Sequence, residues 1–169
     1  MSHRIISITG RSGSGKTTLI EKLIVYYNSI GENVSVLKSM RHDFDSDTSG
    51  KDTYRYRESG AHASLITNGK KFALISKIDN SDENPIDLAT RYFKESDIII
   101  IEGFKQGNLK KIEVIGDAVE DPLFPEDPSI KILVTDKSFD TSNPIYKRDD
   151  IQGIIKAIDR FDLLNTRNV

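Results

Sequence analysis

The chain has 169 residues, of which 37% are hydrophobic and 30% are charged. This composition is typical of a soluble globular protein, and we expect a single domain over residues 1–169. The 24 basic and 26 acidic residues leave a net charge of −2, so no charge excess favours nucleic acid or a membrane as a partner. The lack of cysteine excludes disulfides and thiolate metal sites. No signal peptide or membrane span is predicted, and we expect a cytoplasmic protein.

The first predicted elements flank a glycine-rich loop. An apolar strand at residues 5–9 precedes GRSGSGKT at 10–17, and a helical pattern follows that Gly31 ends. The loop matches G-x-x-x-x-G-K-[ST], whose backbone N–H groups wrap a di- or triphosphate. In this pattern Lys16 contacts the phosphates, as a catalytic candidate, and the Thr17 hydroxyl binds Mg²⁺. The predicted nucleotide-binding residues of the loop are Gly10, Arg11, Ser12, Gly13, Ser14, Gly15, Lys16, Thr17 and Thr18.

Strands and helices continue to alternate after this loop. The predicted elements are a strand at 34–38, hairpin strands at 63–67 and 72–78, a helix at 85–94, strands at 97–102, 111–115 and 130–135, and a last helix from Asp149 or Asp150 to about Leu164. Residues 116–129 contain three prolines and five acids and are predicted as a loop. This order predicts an α/β fold of the P-loop NTPase type, with a mainly parallel sheet and helices on both faces. A β-hairpin insertion around 64–78 is expected to make the sheet mixed.

A second candidate for the phosphate end of the site follows a buried strand. Residues 97–103, DIIIIEG, place Glu102 after four isoleucines, which is typical of a strand covered on both faces. Ligands bind at the carboxyl ends of strands in open α/β sheets. Glu102 is therefore a catalytic and metal candidate that binds Mg²⁺ through water or orients the attacking water. Gly103 would allow close backbone approach to a phosphate; a solvated acid at a strand end is the alternative for Glu102.

The polar stretch at 41–58 contains three regularly spaced acids. Asp43, Asp45 and Asp47 have the spacing of a calcium loop, but Thr48 and Tyr54 stand where that loop requires Gly and Glu. Calcium is therefore excluded. The three carboxylates are interpreted either as groups around Mg²⁺ that do not bind it directly or as ordinary solvated loop acids. Asp43 is the candidate for a direct Mg²⁺ contact, because it comes soonest after the second predicted strand.

Basic residues in and after this stretch indicate a polyanionic second ligand near the triphosphate. They are Lys51, Arg55 and Arg57, with Lys105 and the pair Lys110 and Lys111 extending the same basic rim. Ion pairs with acids on a helix face are an equally good interpretation for each of the residues at 51–57.

These motifs resemble the MobB family of molybdopterin-guanine dinucleotide biosynthesis adapter proteins. The resemblance rests on GRSGSGKTTLIEKL, on Lys38 with HDFDSDTSGKDTYRYRESGA at 42–61, and on IIIEGFK at 99–105 followed by KIEV. It spans residues 5 to about 136. It implies a P-loop protein that binds GTP and Mg²⁺, hydrolyses GTP weakly and commonly forms a homodimer. It further implies an adapter that assists a MobA-type guanylyltransferase in attaching GMP to molybdopterin or its molybdenum form. The implied pterin contacts are Lys38, Lys51, Arg55, Arg57 and Lys105.

The sequence departs from the family pattern at four positions. Ser39, Arg41 and Tyr56 stand where histidines are usual, and Ser49 stands where a proline is usual. The departures leave the nucleotide-binding motif unchanged and fall in the stretch that the resemblance assigns to the pterin.

Two residues support finer hypotheses. Asp136 follows the strand at 130–135, where guanine-specific P-loop proteins often place an Asp that accepts from guanine N1–H and N2–H₂; a turn aspartate is the alternative. Arg11 would reach the phosphates of the partner subunit in a homodimer, whereas a solvent-facing loop arginine is the alternative.

Two other functions fit parts of the pattern. A uridine-kinase-like phosphotransferase also begins with SGSGKTT. In that interpretation Arg55 and Arg57 would correspond to the arginines of its lid, and Asp43 to the aspartate that acts as general base at the acceptor site. A GTPase metallochaperone would need a His/Cys cluster, which the sequence lacks. No residue is identifiable as a water-positioning Gln or an arginine finger in cis, so we expect at most a weak GTPase.

Overall fold

A computed structural model describes residues 2–40, 42–44, 47–78 and 84–168. Arg41 and Asp45, which the sequence analysis considered, lie outside these ranges. Contacts divide the chain into two compact units, one formed by the chain up to residue 40 together with the chain from residue 85, the other by residues 41–84. The single domain over 1–169 stays a prediction.

The predicted helices and strands are present in the predicted order, together with three additional elements. In chain order the elements are β1 (Ser2–Thr9), α1 (Lys16–Ser29), β2 (Val34–Lys38), α2 (Asp52–Glu58), β3 (Ala63–Thr67), β4 (Phe72–Ser76), α3 (Pro85–Tyr92), β5 (Ile98–Glu102), β6 (Lys111–Val114), β7 (Ile130–Val134), β8 (Ile145–Tyr146), α4 (Ile151–Arg160) and β9 (Asn165–Asn168). Of these, α2, β8 and β9 are the additional elements that the sequence analysis did not predict. The last helix begins after an Asp150 cap, as predicted, but ends at Arg160. None of the helices in the described ranges is long and apolar enough to cross a membrane.

The main sheet belongs to the first unit and has the strand order β2-β5-β1-β6-β7-β8. All of these neighbours pair in parallel. The sheet is mixed, as predicted, but the antiparallel strand is β9, which pairs with the first half of β1. The hairpin does not join it, because β3 and β4 form a separate two-stranded sheet.

The core lies on both faces of the main sheet. Along β5, Ile98 and Ile100 pack on one face with α1 and α4. Ile99 and Ile101 pack on the other face with α3. The α/β fold with helices on both faces is therefore confirmed.

The predicted loop at 116–129 covers the part of the second face that α3 does not. Leu123 and Phe124 of this loop pack on a buried cluster formed by Ile115, Ile130 and Leu133. A fully buried carboxylate, that of Glu113 on β6, accepts the backbone N–H groups of Leu123 and Phe124 at 2.7 and 2.8 Å. The loop is thereby fixed to the sheet although it has no regular secondary structure.

The second unit contains α2 and the β3–β4 hairpin. The predicted hairpin turn is confirmed at residues 68–71, where the Asn68 side chain accepts the N–H groups of Lys70 and Lys71, each at 3.1 Å. Gly69 takes a positive φ of 80° in this turn. Most hairpin side chains are exposed, including Leu65 and Phe72.

Lys111 is not part of an exposed basic rim, contrary to the sequence prediction. Its side chain is 1% exposed. The ammonium contacts the Asp127 carboxylate at 3.0 Å and donates to the carbonyl oxygen of Lys105 at 2.9 Å. Lys111 therefore connects β6 to the segments before and after it, because it neutralises a carboxylate and satisfies a carbonyl.

We predict that Lys111→Met lowers the free energy of unfolding by about 1–3 kcal/mol, because it leaves partly buried acceptors without their donor. Chemical denaturation would measure the change. Lys131→Met is the matched control, since Lys131 is exposed and donates to one carbonyl. An equal effect of both substitutions would contradict the assigned role of Lys111.

Candidate functional site

The glycine-rich loop runs from the end of β1 into α1. Gly10 has a φ of +142°, and a Cβ atom there would lie 2.3 Å from the carbonyl oxygen of Val114 on β6. Only glycine fits this close backbone approach. The backbone bond from Leu19 N–H to Gly15 at 3.2 Å is the first of α1, so the amide groups before it have no partner within the helix. Together with the helix dipole they make the loop a candidate anion site.

Lys16 folds back over this loop. Its ammonium donates to the carbonyl oxygens of Gly10 at 3.2 Å and Arg11 at 2.8 Å. Burial lowers the pKa of Lys16, the Glu102 carboxylate opposes this shift, and the Lys105 and Lys38 ammonium groups add to it. The structure therefore brings together four predicted site residues from three segments of the chain: the start of α1, the end of β2, and the end of β5 with the turn that follows it.

Glu102 lies at the carboxyl end of β5, opposite Ile8 of β1 and Lys38 of β2. Its side chain is half-buried, and its carboxylate has no hydrogen-bond partner among the described residues. Gly103 turns the chain with a φ of +83°, and a Cβ atom there would lie 2.8 Å from the carbonyl oxygen of Ser39. Glycine at this position thus lets the ends of β5 and β2 meet beside the loop.

The donor atoms here fit Mg²⁺ bound together with a nucleotide. The described residues contain no group of three or more His, Cys, Asp or Glu side chains that could hold a metal ion. Mg²⁺ does not require such a group, since it keeps several waters and uses one or two protein oxygens plus phosphates. The Thr17 hydroxyl on the first turn of α1 and the Glu102 carboxylate provide such oxygens. Asp43 belongs to the second unit, where its carboxylate accepts the Phe44 N–H at 2.9 Å; its metal role stays a prediction.

A cavity of about 310 Å³ adjoins the loop and makes a candidate nucleoside pocket. It is lined by Gly15, Thr18, Leu19, Lys22, Val114, Val134, Asp136, Arg148 and Asp149. These residues come from the helix that follows the loop, the carboxyl ends of β6 and β7, and the segment before α4.

Asp136 lies in an ion-pair cluster that the sequence did not predict. The Arg148 guanidinium donates through Nε to Asp136 at 2.5 Å and through Nη2 to the Asp117 carboxylate at 2.9 and 3.0 Å. The hydrogen bond from Arg148 lowers the pKa of Asp136. Asp136 is therefore ionised at neutral pH and held in one orientation.

Arg11 lies on the loop but is held by the 116–129 segment. Its guanidinium pairs with the Asp121 carboxylate and donates through Nε to the Asp121 carbonyl at 2.9 Å. The predicted contact with a partner subunit's phosphates stays a prediction, and it would require Arg11 to leave this ion pair.

The basic residues at 51–57 belong to the second unit. Arg57 pairs with Asp47 at 3.4 Å and lies 5.7 Å from the centre of the Tyr54 ring. This ion pair differs from the predicted one, because Asp47 is not on the helix face, and the contact of Arg57 with a second ligand stays a prediction. Lys51 and Arg55 are exposed, and their contact with a second ligand stays a prediction.

The fold and the loop define an α/β protein with the phosphate-loop motif between the first strand and first helix of a mainly parallel sheet. The family model for molybdopterin guanine dinucleotide synthesis protein B, MobB, matches residues 5–136. The chain belongs to the MobB family.

Named relatives and a solved structure agree with this assignment. The chain is 29% identical over 163 residues to the molybdopterin-guanine dinucleotide biosynthesis adapter protein of Haemophilus influenzae, covering 93% of this chain and 88% of the relative. It is 33% identical over 115 residues to the protein of the same name from Escherichia coli, covering 67% and 66%. A crystal structure of molybdopterin-guanine biosynthesis protein B superposes with a TM-score of 0.70 at 27% identity, covering 93% of this chain and 99% of that one.

We predict that Glu102→Gln lowers the pKa of Lys16 further, because it removes the carboxylate that opposes the effect of burial. An NMR titration of the lysine side-chain carbons would measure the shift without any ligand. Glu95→Gln is the matched control, since Glu95 is an exposed acid before the opposite end of β5. A Lys16 pKa that does not respond to the Glu102 substitution would show that the two groups do not interact.

Proposed function

We propose that this protein is a GTP-binding adapter in molybdopterin guanine dinucleotide biosynthesis, which assists a MobA-type guanylyltransferase. Membership of the MobB family supports the pathway, and relatives that bear the adapter name support the role. The observation that carries the nucleotide part is the glycine-rich loop between β1 and α1, over which the Lys16 ammonium lies, with Glu102 at the end of the neighbouring strand β5. We further propose that the protein acts as a homodimer.

GTP and Mg²⁺ are the proposed ligands of the loop. The amide groups at the start of α1 and the Lys16 ammonium supply donors for the β- and γ-phosphates. The Thr17 hydroxyl and Glu102 supply oxygens for Mg²⁺, which would neutralise phosphate charge. Asp136 lines the adjoining cavity, where its carboxylate can accept two N–H groups from guanine.

A second phosphate group fits the cations beside the loop. Lys38 and Lys105 lie close enough to Lys16 to lower its pKa, and one carboxylate, Glu102, accompanies these three cations. The surplus positive charge favours more than one anionic ligand. We propose that it binds the terminal phosphate of molybdopterin beside GTP. Holding both reactants would supply proximity, whereas the bond-making step would belong to the transferase.

Slow GTP hydrolysis accompanies this role. P-loop GTPases without an arginine finger lose about 10³- to 10⁵-fold in rate. Arg11 is the arginine of the loop itself, and Asp121 holds its guanidinium. An adapter benefits from slow hydrolysis, since GTP that is hydrolysed before delivery cannot donate GMP.

We predict that Lys16→Ala weakens GTP binding by at least about tenfold, or 1.4 kcal/mol, because a charge-assisted phosphate contact is lost. Isothermal calorimetry with Mg²⁺ would measure the dissociation constants. Lys156→Ala, which removes an exposed lysine of α4, should leave the affinity unchanged. Equal affinity of the folded Lys16 variant and the wild type would rule out Lys16 as a phosphate contact.

We also predict that the protein raises product yield in a guanylyltransferase assay at limiting GTP, and that the Lys16→Ala variant does not. The assay would contain a MobA-type enzyme and molybdopterin, with molybdopterin guanine dinucleotide as the readout. Lys156→Ala should support the reaction as the wild type does. Rapid multiple-turnover phosphorylation of a nucleoside by this protein alone would contradict the adapter role and favour the kinase instead.

A further inference from the structure

We propose that Arg148 is the second half of a guanine reader in the cavity beside the loop. In this arrangement Asp136 accepts from guanine N1–H and N2–H₂, and Arg148 donates to guanine O6. The inference rests on the proposed GTP binding and adds the residue that selects the base together with Asp136.

The backbone around Arg148 is anchored on both sides of the cavity. The Thr135 N–H donates to the Tyr146 carbonyl at 2.8 Å, which fixes the segment before Arg148 to the end of β7. The Lys22 ammonium donates to the Arg148 carbonyl at 3.2 Å, which fixes the same segment to α1. Both Lys22 and Arg148 line the cavity, so the guanidinium is presented from a defined position.

The Arg148 guanidinium retains donors for a ligand. An arginine has five N–H groups. In Arg148, Nε donates to Asp136 and Nη2 donates to Asp117. Within the described part of the chain, Nη1 has no hydrogen-bond partner. The two carboxylates therefore orient the guanidinium and leave N–H groups for an acceptor.

Asp136 retains acceptor capacity in the same way. One oxygen accepts from Arg148 Nε at 2.5 Å, and the other lies 3.5 Å from the Arg148 backbone nitrogen. A carboxylate offers about four lone-pair sites, so each oxygen can accept one more N–H. Because the ion pair lowers the pKa of Asp136, the carboxylate stays charged and acceptor-only.

The pair of side chains matches guanine and opposes adenine. The guanine edge presents an acceptor at O6 and donors at N1 and N2, which require one donor and two acceptors from the protein. Adenine presents a donor at position 6 and an acceptor at N1. Arg148 would then face an amino group and Asp136 a lone pair, so both contacts become unfavourable.

A purely structural role is the competing explanation for Arg148. The guanidinium connects Asp117, after β6, with Asp136, after β7, and this alone could hold the two segments together. Loss of Arg148 would then weaken the binding of all nucleotides to the same extent. The two explanations differ in how affinity depends on the atom at position 6 of the base.

The experiment compares GTP, ATP and 6-thio-GTP by calorimetry. The thio analogue keeps N1–H and N2–H₂ but carries sulfur, a weaker acceptor, at position 6. The wild type should bind GTP about threefold or more tightly than 6-thio-GTP, as expected for one hydrogen bond. In Arg148→Ala this preference should vanish, and the ratio of GTP to ATP affinity should fall about tenfold or more, because a hydrogen bond from a charged donor is lost. Arg160→Ala, at the exposed end of α4, is the matched control and should change neither ratio.

Each outcome decides a separate point. Wild-type protein that binds GTP no better than 6-thio-GTP overturns the role of Arg148, whether or not any variant folds. If Arg148→Ala weakens the binding of GTP, ATP and 6-thio-GTP by the same factor, the structural role is supported and the proposal is overturned. If Asp136→Asn leaves the GTP-to-ATP ratio unchanged, the Asp136 half is wrong. If the wild-type protein binds no nucleotide, the proposed function is overturned as well. If it binds nucleotides tightly but without preference for the base, only this inference is overturned.

Discussion

The burial of β5 on both faces is the constraint on which the rest of the structure depends. All four isoleucines from Ile98 to Ile101 are 0% exposed, and each such side chain contributes about 1.5–3 kcal/mol when buried. A strand with no polar face must lie inside the sheet, with α1 and α4 on one face and α3 on the other. Glu102 is the first residue of the strand that is not fully buried. Its carboxylate therefore lies at the edge of the sheet where the parallel strands β1, β2 and β5 have their carboxyl ends.

Close backbone contacts then fix the loops at this edge to one another. The Val114 carbonyl lies where a side chain at Gly10 would be, and the Ser39 carbonyl lies where one at Gly103 would be. Each contact joins two segments that are distant in sequence. As a result the glycine-rich loop and the ends of β2, β5 and β6 form a single surface, whose backbone is held by these close approaches. Such preorganisation would lower the entropic cost of binding the proposed nucleotide.

Local patterns in the sequence predicted those parts of the fold and of the candidate site that depend on local structure. The spacing at 10–17 and the isoleucine run before Glu102 are local, and so is the Asn68 turn of the hairpin. Arg148 was not predicted, since its partners follow two other strands and no short motif connects them. Lys111 sits on a strand whose pattern gives no sign of a buried ion pair. β9 reads NTRN, a polar sequence without alternation, and its strand conformation depends on pairing with β1.

The position of the second unit in the chain has a consequence for folding kinetics. Strands β2 and β5 are neighbours in the sheet, with Val34 opposite Ile98, and the whole of residues 41–84 lies between them in sequence. Forming this strand pair closes a long loop, and its entropic cost rises with the length of flexible chain. The hairpin and α2 consist of contacts that are close in sequence, which form rapidly. If they fold first, they shorten the flexible part of the loop, and we expect this locally folding segment to speed the assembly of the strand that carries Glu102.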